Sequence, residues 1–412
     1  MTCLWLTLAD PEPATNGQYL YSDGLIHALG ATGVALTVLG LSRPESPPRS
    51  SHRTLTWRLA ETAPVSKWAG LTSRLPQIAL RSRTRGMQQL LTECLAAGRW
   101  ESIVFDSISV GWALDAVLRY GDRHPCRPTL VYLSHNHERA VADHIAQRDP
   151  VWATRQLKRL DAGKVAWLER RLVVAADLVT ANTPEDVARF TVERPGRPVS
   201  LLSPGYGGPR VEQRLIDAAL PRRAVVVGSF DWLPKRVSLE AFLDHAAPLF
   251  ARAAIELQIV GQAEAGYLAG LRSRYPGVVF TGRVDDVRPY MAQARMALVP
   301  DQLGGFKLKG LDYVFSRLPV LAMADALPGM PLQDGESVRY ANSPLALAQM
   351  AVKMMDDLAS LDAQQQAAYD ACAAQFDWPA IGRRLAIDIA ASRRPVLATA
   401  RRSVPRQLRP AG

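Results

Sequence analysis

No stretch of about 18 or more uncharged apolar residues occurs in this 412-residue chain, which excludes a transmembrane helix defined by hydropathy. The N-terminus, Met1 to Asp10, lacks a basic leader region, and its apolar run is too short for a secretory signal. It reads better as a first buried strand. Cysteine is scarce: Cys3, Cys94, Cys126 and Cys372 are far apart, with no CxxC pair and no metal-ligand spacing. A disulfide framework is therefore not expected, and a reducing cytoplasm is the natural setting. Any aromatic–basic motif of the kind that reads nucleic acid is also missing. Positive charge is not scarce. The net charge of +10 admits nucleic acid, anionic lipid or a phosphorylated substrate as partner, but many soluble enzymes are mildly basic without one. Where the charge lies decides more than its sum.

What is present is an alternation of short apolar runs and helical patterns. Residues 34–39, 102–105, 129–133 and 178–181 have the length and content of buried parallel strands. Helical patterns, such as Gly24 to Leu29 and Val165 to Ala176, lie between them. A Gly/Pro cluster at 203–209 has turn chemistry and marks a domain boundary. The pattern then restarts, with strands at 224–227, 255–260, 278–281, 296–299 and 318–322. Three of these run into Gly228, Gly261 and Gly282, at the carboxyl edge where open α/β sheets bind ligands. A doubly wound α/β fold in two domains follows. From about Pro395 the chain is Arg-rich with no apolar period, and disorder is expected at 395–412.

The segment 304–322 carries the most chemistry. Gly304 and Gly305 form a turn, Phe306 to Phe315 a short helix, and Pro319 to Ala322 a strand. Leu308, Leu311 and Phe315 recur at helical spacing and should pack inward. A helix start after a Gly-Gly turn offers free N–H groups and partial positive charge to a diphosphate. Lys307 and Lys309 would neutralise charge building on a leaving diphosphate. Asp312, three residues after Lys309, can accept hydrogen bonds from ribose hydroxyls. Taken alone, Lys309 and Asp312 would read as a surface ion pair.

This segment resembles the donor-binding motif of the GT4-type (glycosyltransferase group 1) family, in which a Gly-Gly turn precedes a Lys and an acidic residue before a Pro-Val strand. Asp312 stands where that family usually has Glu, and Gly304 where it often has a second Glu. The Lys-x-x-Asp-Tyr-x-Phe form is similar to xanthan-type glucuronosyltransferases. The resemblance implies a GT-B fold, two Rossmann-like domains facing a central cleft. Residues 1–205 would bind the acceptor, 215–375 the nucleotide-sugar donor, and a helix within 376–394 would cross back to the first domain. It also implies that Gly228, Lys235 and Gly261 border the donor, that Val284 meets the nucleobase, and that Asn16 and Gly17 form a loop on the acceptor side. No Asp-x-Asp occurs, so neither metal nor cofactor is expected.

For catalysis, His135, Asn136, His137 and Glu138 stand at the end of a predicted strand. A histidine near neutrality suits proton transfer, with Glu138 orienting it or acting itself. Asp106, at another strand end, is a second candidate, standing where many retaining members carry His. Zinc binding by His135, His137 and Glu138 lacks a fourth ligand of clear spacing. The residues Lys67 to Arg85 interleave cations with apolar side chains over a helical length, as a segment lying on an anionic membrane would. The expected partners are thus a nucleotide sugar, a sugar or lipid-linked acceptor, and the inner membrane face, with no nucleic acid. A GT-B nucleotide-sugar 2-epimerase and a non-catalytic two-lobed binding protein are the rival readings.

Overall fold

The computed structural model describes residues 1–47, 49, 54–63, 69–147, 151–301 and 305–393. Gly304, Lys67, Trp68 and the expected disordered tail at 395–412 lie outside these residues. The first half begins with β1 (Thr2–Ala9), α1 (Gly17–Gly30), β2 (Ala35–Leu41) and β3 (Leu55–Ala60). Three helices follow, α2 (Ala69–Thr72), α3 (Gln77–Ser82) and α4 (Arg85–Ala97), then β4 (Ser102–Asp106) and α5 (Leu114–Arg123). The half closes with β5 (Thr129–Leu133), α6 (Glu138–Gln147), α7 (Trp152–Ala175), β6 (Leu178–Ala181), α8 (Pro184–Glu193) and β7 (Val199–Leu201). These strands form one parallel sheet in the order β3-β2-β1-β4-β5-β6-β7. The strands at its centre are buried on both faces, the reason they read as unbroken apolar runs.

The second half repeats the plan with β8 (Arg223–Val227), α9 (Leu233–Arg252), β9 (Glu256–Val260), α10 (Ala265–Arg274) and β10 (Val278–Gly282). It continues through α11 (Arg288–Ala292), β11 (Met296–Val299), α12 (Leu308–Phe315), β12 (Val320–Met323) and β13 (Arg339–Ala341). The parallel sheet runs β10-β9-β8-β11-β12-β13. Both sheets reverse direction of growth once, between β1 and β4 and between β8 and β11. Such switch points open crevices at the carboxyl ends of the strands.

Three helices end the described chain: α13 (Pro344–Met354), α14 (Leu358–Ala373) and α15 (Trp378–Ala391). The first two pack on the second domain's core. α15 does not: its Leu385 and Ile389 are buried among Trp5, Tyr21 and Leu25 of the first domain. Gly382 permits the approach, because a Cβ there would lie 2.3 Å from the Ala28 carbonyl of α1.

One expectation changes. The basic stretch at 67–85 is not one helix: Pro76 caps α3 and separates it from α2. Within it Ala79 is buried, and Leu75 and Ile78 pack against the first domain's core. The strands β3, β7 and β13 carried no expectation; each is an edge strand, where a continuous apolar run is not required. Among the described residues, no helix is long and apolar enough to cross a membrane.

Candidate active site

Three neighbouring strands of the first sheet converge on one carboxylate. Asp106 ends β4, fully buried, and its Oδ2 accepts a hydrogen bond from Trp5 Nε1 of β1 at 3.0 Å. Its Oδ1 lies 2.6 Å from Nε2 of His135, two residues beyond β5. The two catalytic alternatives of the sequence are thus one unit, Asp106 holding the His135 ring. Tyr21 of α1 meets that ring edge-on at 5.1 Å between centroids.

Asn136 and Glu138 flank the pair. Asn136 Nδ2 donates to Glu138 Oε1 at 3.2 Å. Burial pushes the Glu138 carboxyl up, against the opposing pull of Asn136 and His135. The N-terminus of α6 is held by Glu169 of α7, which accepts from the backbone N–H groups of Glu138 and Arg139, each at 2.9 Å, and from the Tyr132 hydroxyl at 3.2 Å. Burial raises the Glu169 carboxyl to about 8 in spite of these donors. His137 turns away: its Nε2 lies 3.0 Å from Glu193, and its ring packs on Phe190. His135 and His137 therefore face different carboxylates and do not share a metal-binding geometry.

The second domain gathers positive charge around Asp301, which follows β11 and is buried. Lys309 of α12 is ion-paired with it, and Lys307 and Lys235 act on it electrostatically. Burial alone would raise the Asp301 carboxyl, but the three lysines hold it below its ordinary value. The lysines respond in turn. Burial, with repulsion between the cations, lowers Lys235 and brings Lys307 down to about 8. The three lysines, with Asp301 among them and Asp231 acting on Lys235, concentrate positive charge at the β8/β11 switch point. Lys309 therefore turns to Asp301, not to Asp312.

Asp312 instead lies near Tyr206 in the crossover between the domains, whose hydroxyl donates to the Pro209 carbonyl at 3.3 Å. Burial raises its carboxyl to about 6, while the Tyr206 hydroxyl pulls the other way. Gly228 and Gly261 meet backbone to backbone: at Gly261, with φ 137°, a Cβ would come within 1.8 Å of the Gly228 carbonyl oxygen. Val284 is partly buried against the second domain's core, and Arg283 and Asp285 beside it are exposed.

The domains touch where these two sets approach. Gly305 N donates to Asn136 Oδ1 at 3.1 Å, and a Cβ on Gly305 would lie 2.6 Å from that oxygen. Asn16 caps α1 by accepting from Tyr19 N at 3.0 Å. Gly17 faces Leu308 across the cleft, a Cβ there standing 3.7 Å from Leu308 Cδ1. A cavity of about 170 Å³ brings together Gly17, Tyr21, His135, Asn136, Glu138 and Phe306. A larger one, about 790 Å³, opens on the other side of Asn136 and Gly305 and is walled by both domains. Lys235, Lys309 and Asp312 line neither cavity.

Residues 221–357 match the family model described as glycosyl transferases group 1. The second domain resembles the group 1 glycosyltransferases. A search of curated proteins finds no match. Among solved structures, sucrose-phosphate synthase from Thermosynechococcus elongatus is similar at 18% identity and a TM-score of 0.70, covering 94% of this chain and 98% of that one. WaaG, a glycosyltransferase involved in lipopolysaccharide biosynthesis, is similar at 17% identity and a TM-score of 0.63, covering 94% and 99%. Anabaena HepE, solved in complex with UDP and glucose, is similar at 14% identity and a TM-score of 0.61, covering 95% and 100%. This likeness over nearly the whole chain is a likeness of fold: two Rossmann-like domains in the GT-B arrangement.

The glycosyltransferase fold accounts for residues that the sequence left unread. Asp301 follows Val299 and Pro300 at a strand end, a position that could have marked it. Tyr206 lies in the Ser-Pro-Gly-Tyr crossover, but nothing local shows that its hydroxyl comes near Asp312. Glu169 sits within an amphipathic helix, and only the fold shows that it caps another one.

Proposed function

We propose that this glycosyltransferase moves a sugar from a nucleoside-diphosphate donor to an acceptor hydroxyl. The observation that carries the reading is the cluster of Lys235, Lys307 and Lys309 on the single buried Asp301, beside the start of α12. A cluster of cations beside a helix start favours a bound anion, and a diphosphate supplies that charge. In the transfer the anomeric C–O bond to the diphosphate breaks, a bond to the acceptor oxygen forms, and the acceptor proton passes to a base. The lysines stabilise the charge growing on the leaving diphosphate. Asp312, as a carboxylate, accepts hydrogen bonds from the ribose.

His135 is the base this arrangement favours. Asp106 occupies its Nε2, which leaves Nδ1 as the nitrogen able to take a proton, and the ring borders the smaller cavity. The larger cavity is room for the acceptor. Its lining includes Glu185, Asp186, Asp325 and Asp334 with Asn136 and Asn342, groups suited to hydroxyls of a sugar.

The test is a thermal-shift and calorimetric series with UDP, GDP, dTDP and ADP, UDP first because HepE holds it. One diphosphate should stabilise the wild type selectively, and Lys309→Ala should weaken its binding by about tenfold or more. Absence of binding by all four to folded protein would overturn the reading. A new sugar isomer formed without acceptor would favour the epimerase instead.

A further inference from the structure

The smaller cavity, of about 170 Å³, is well below the ~300 Å³ at which sites for drug-sized ligands begin. It suits a single sugar ring and not a nucleoside. Most of the polar side chains on its wall are already committed. The Tyr21 hydroxyl donates to the Leu202 carbonyl at 2.5 Å, and the Ser107 hydroxyl is shared with Ser109 at 2.7 Å. Asn136 is engaged at both ends of its amide, by Gly305 N and by Glu138. Asn182, the residue after β6, is engaged at one end only. Its Nδ2 donates to the His135 carbonyl at 2.8 Å, which sets the orientation of the amide. Its Oδ1 has no donor, although the residue is only 7% exposed. A buried carbonyl oxygen in this state is costly, and a hydroxyl brought into the cavity would complete it.

That oxygen lies where the domains meet. A Cβ on Gly305 would stand 3.4 Å from it, so it faces the turn that leads into α12. Phe306 and Leu308 line the same cavity, on either side of Lys307 of the cation cluster. A sugar joined to a diphosphate at the start of α12 would therefore extend towards Asn182, with His135 at its edge. The charge around this ring is one-sided. Among the described residues, no lysine or arginine lines the cavity, and the His135 ring is already answered by Asp106. Glu138 is the acid on the wall, one of its oxygens held by Asn136. A sugar carboxylate placed here would be stripped of water beside another carboxyl and a carbonyl oxygen, with no cation to offset it.

We infer that Asn182 selects the transferred sugar: its Oδ1 accepts a hydrogen bond from a hydroxyl of a neutral hexose in the smaller cavity, which rejects a uronate. The inference rests on the transfer reading and narrows it to one class of donor. It separates this chain from the glucuronosyltransferases that its α12 segment resembles. The discrimination has two parts. The orphan oxygen rewards a hydroxyl, and the lack of a counter-charge penalises a carboxylate.

The test is calorimetry of the full chain with UDP, UDP-glucose, UDP-galactose, UDP-N-acetylglucosamine and UDP-glucuronate, or the same sugars on whichever diphosphate the wild type selects. At least one neutral conjugate should bind about tenfold or more tightly than the glucuronate. Asn182→Ala should weaken that neutral conjugate by about tenfold. Its affinity for the bare diphosphate, held by the other domain, should stay near wild type and show that the variant is folded. Asn182→Leu, which keeps side-chain bulk without the oxygen, should show the same loss. A loss confined to the alanine variant overturns the inference, because it reports packing and not the oxygen. Equal binding of glucuronate and neutral conjugates, or wild-type binding of the neutral conjugate by both variants, also overturns it and leaves the transfer reading standing. Failure of every diphosphate to bind folded wild type removes the transfer reading, and this inference with it.

Discussion

Both oxygens of the Asp106 carboxylate are engaged: one accepts a hydrogen bond from the Trp5 indole N–H, and the other faces His135. If His135 is the base as proposed, replacing Asp106 by Asn should lower turnover by about a hundredfold or more while leaving nucleotide affinity near wild type. Equal losses in both would show that the residue supports the fold instead. Asp312 gives a pH signature. Its carboxyl, raised to about 6, must be ionised to accept ribose hydroxyls. UDP affinity should therefore fall as pH drops through about 6, and Asp312→Asn should remove that part of the dependence. Calorimetry at pH 5 and 7 on both proteins measures it. Of these residues the sequence named His135, Asp106 and Asp312 but not their relations, because strand-end neighbours 29 residues apart meet only through sheet order.

At the scale of elements, the strands at the centres of the sheets were legible because burial on both faces writes an apolar run. Of the edge strands, β10 was legible, and β3, β7 and β13 were not. The start of α12 is a mixed case. Its helix and the strand after it follow the expected order, yet Lys309 is ion-paired with the buried Asp301 and not with Asp312. The cap that Glu169 places on α6 has a stability consequence. A carboxyl raised to about 8 binds its proton more tightly in the folded chain than in the unfolded one. Its contribution is therefore present below the ordinary carboxylate range and is lost as pH rises towards 8. Glu169→Gln keeps an acceptor for the α6 N–H groups without the titration. Thermal melts should show the wild type losing stability between pH 5 and 8 more steeply than this variant. Identical slopes would rule the linkage out.

At the scale of the whole molecule, α15 joins the first domain's core although it follows the second in sequence. Gly382→Ala should cost about 1–3 kcal/mol, because the added methyl meets the Ala28 carbonyl and not a yielding side chain. An unchanged melting temperature would mean that α15 is not seated as described. The return of the chain has a mechanical side as well. The two domains are linked twice, outward near Tyr206 and back near Phe376, and the two passages are bonded to each other, Tyr206 N to Phe376 O at 2.7 Å. Trp378 closes over Gly24 of α1 and Gly205 of the outward passage. A single strand would let the lobes swivel freely. A paired passage, pinned by Trp378, restrains that swivel, as two hinges hold a door to one swing.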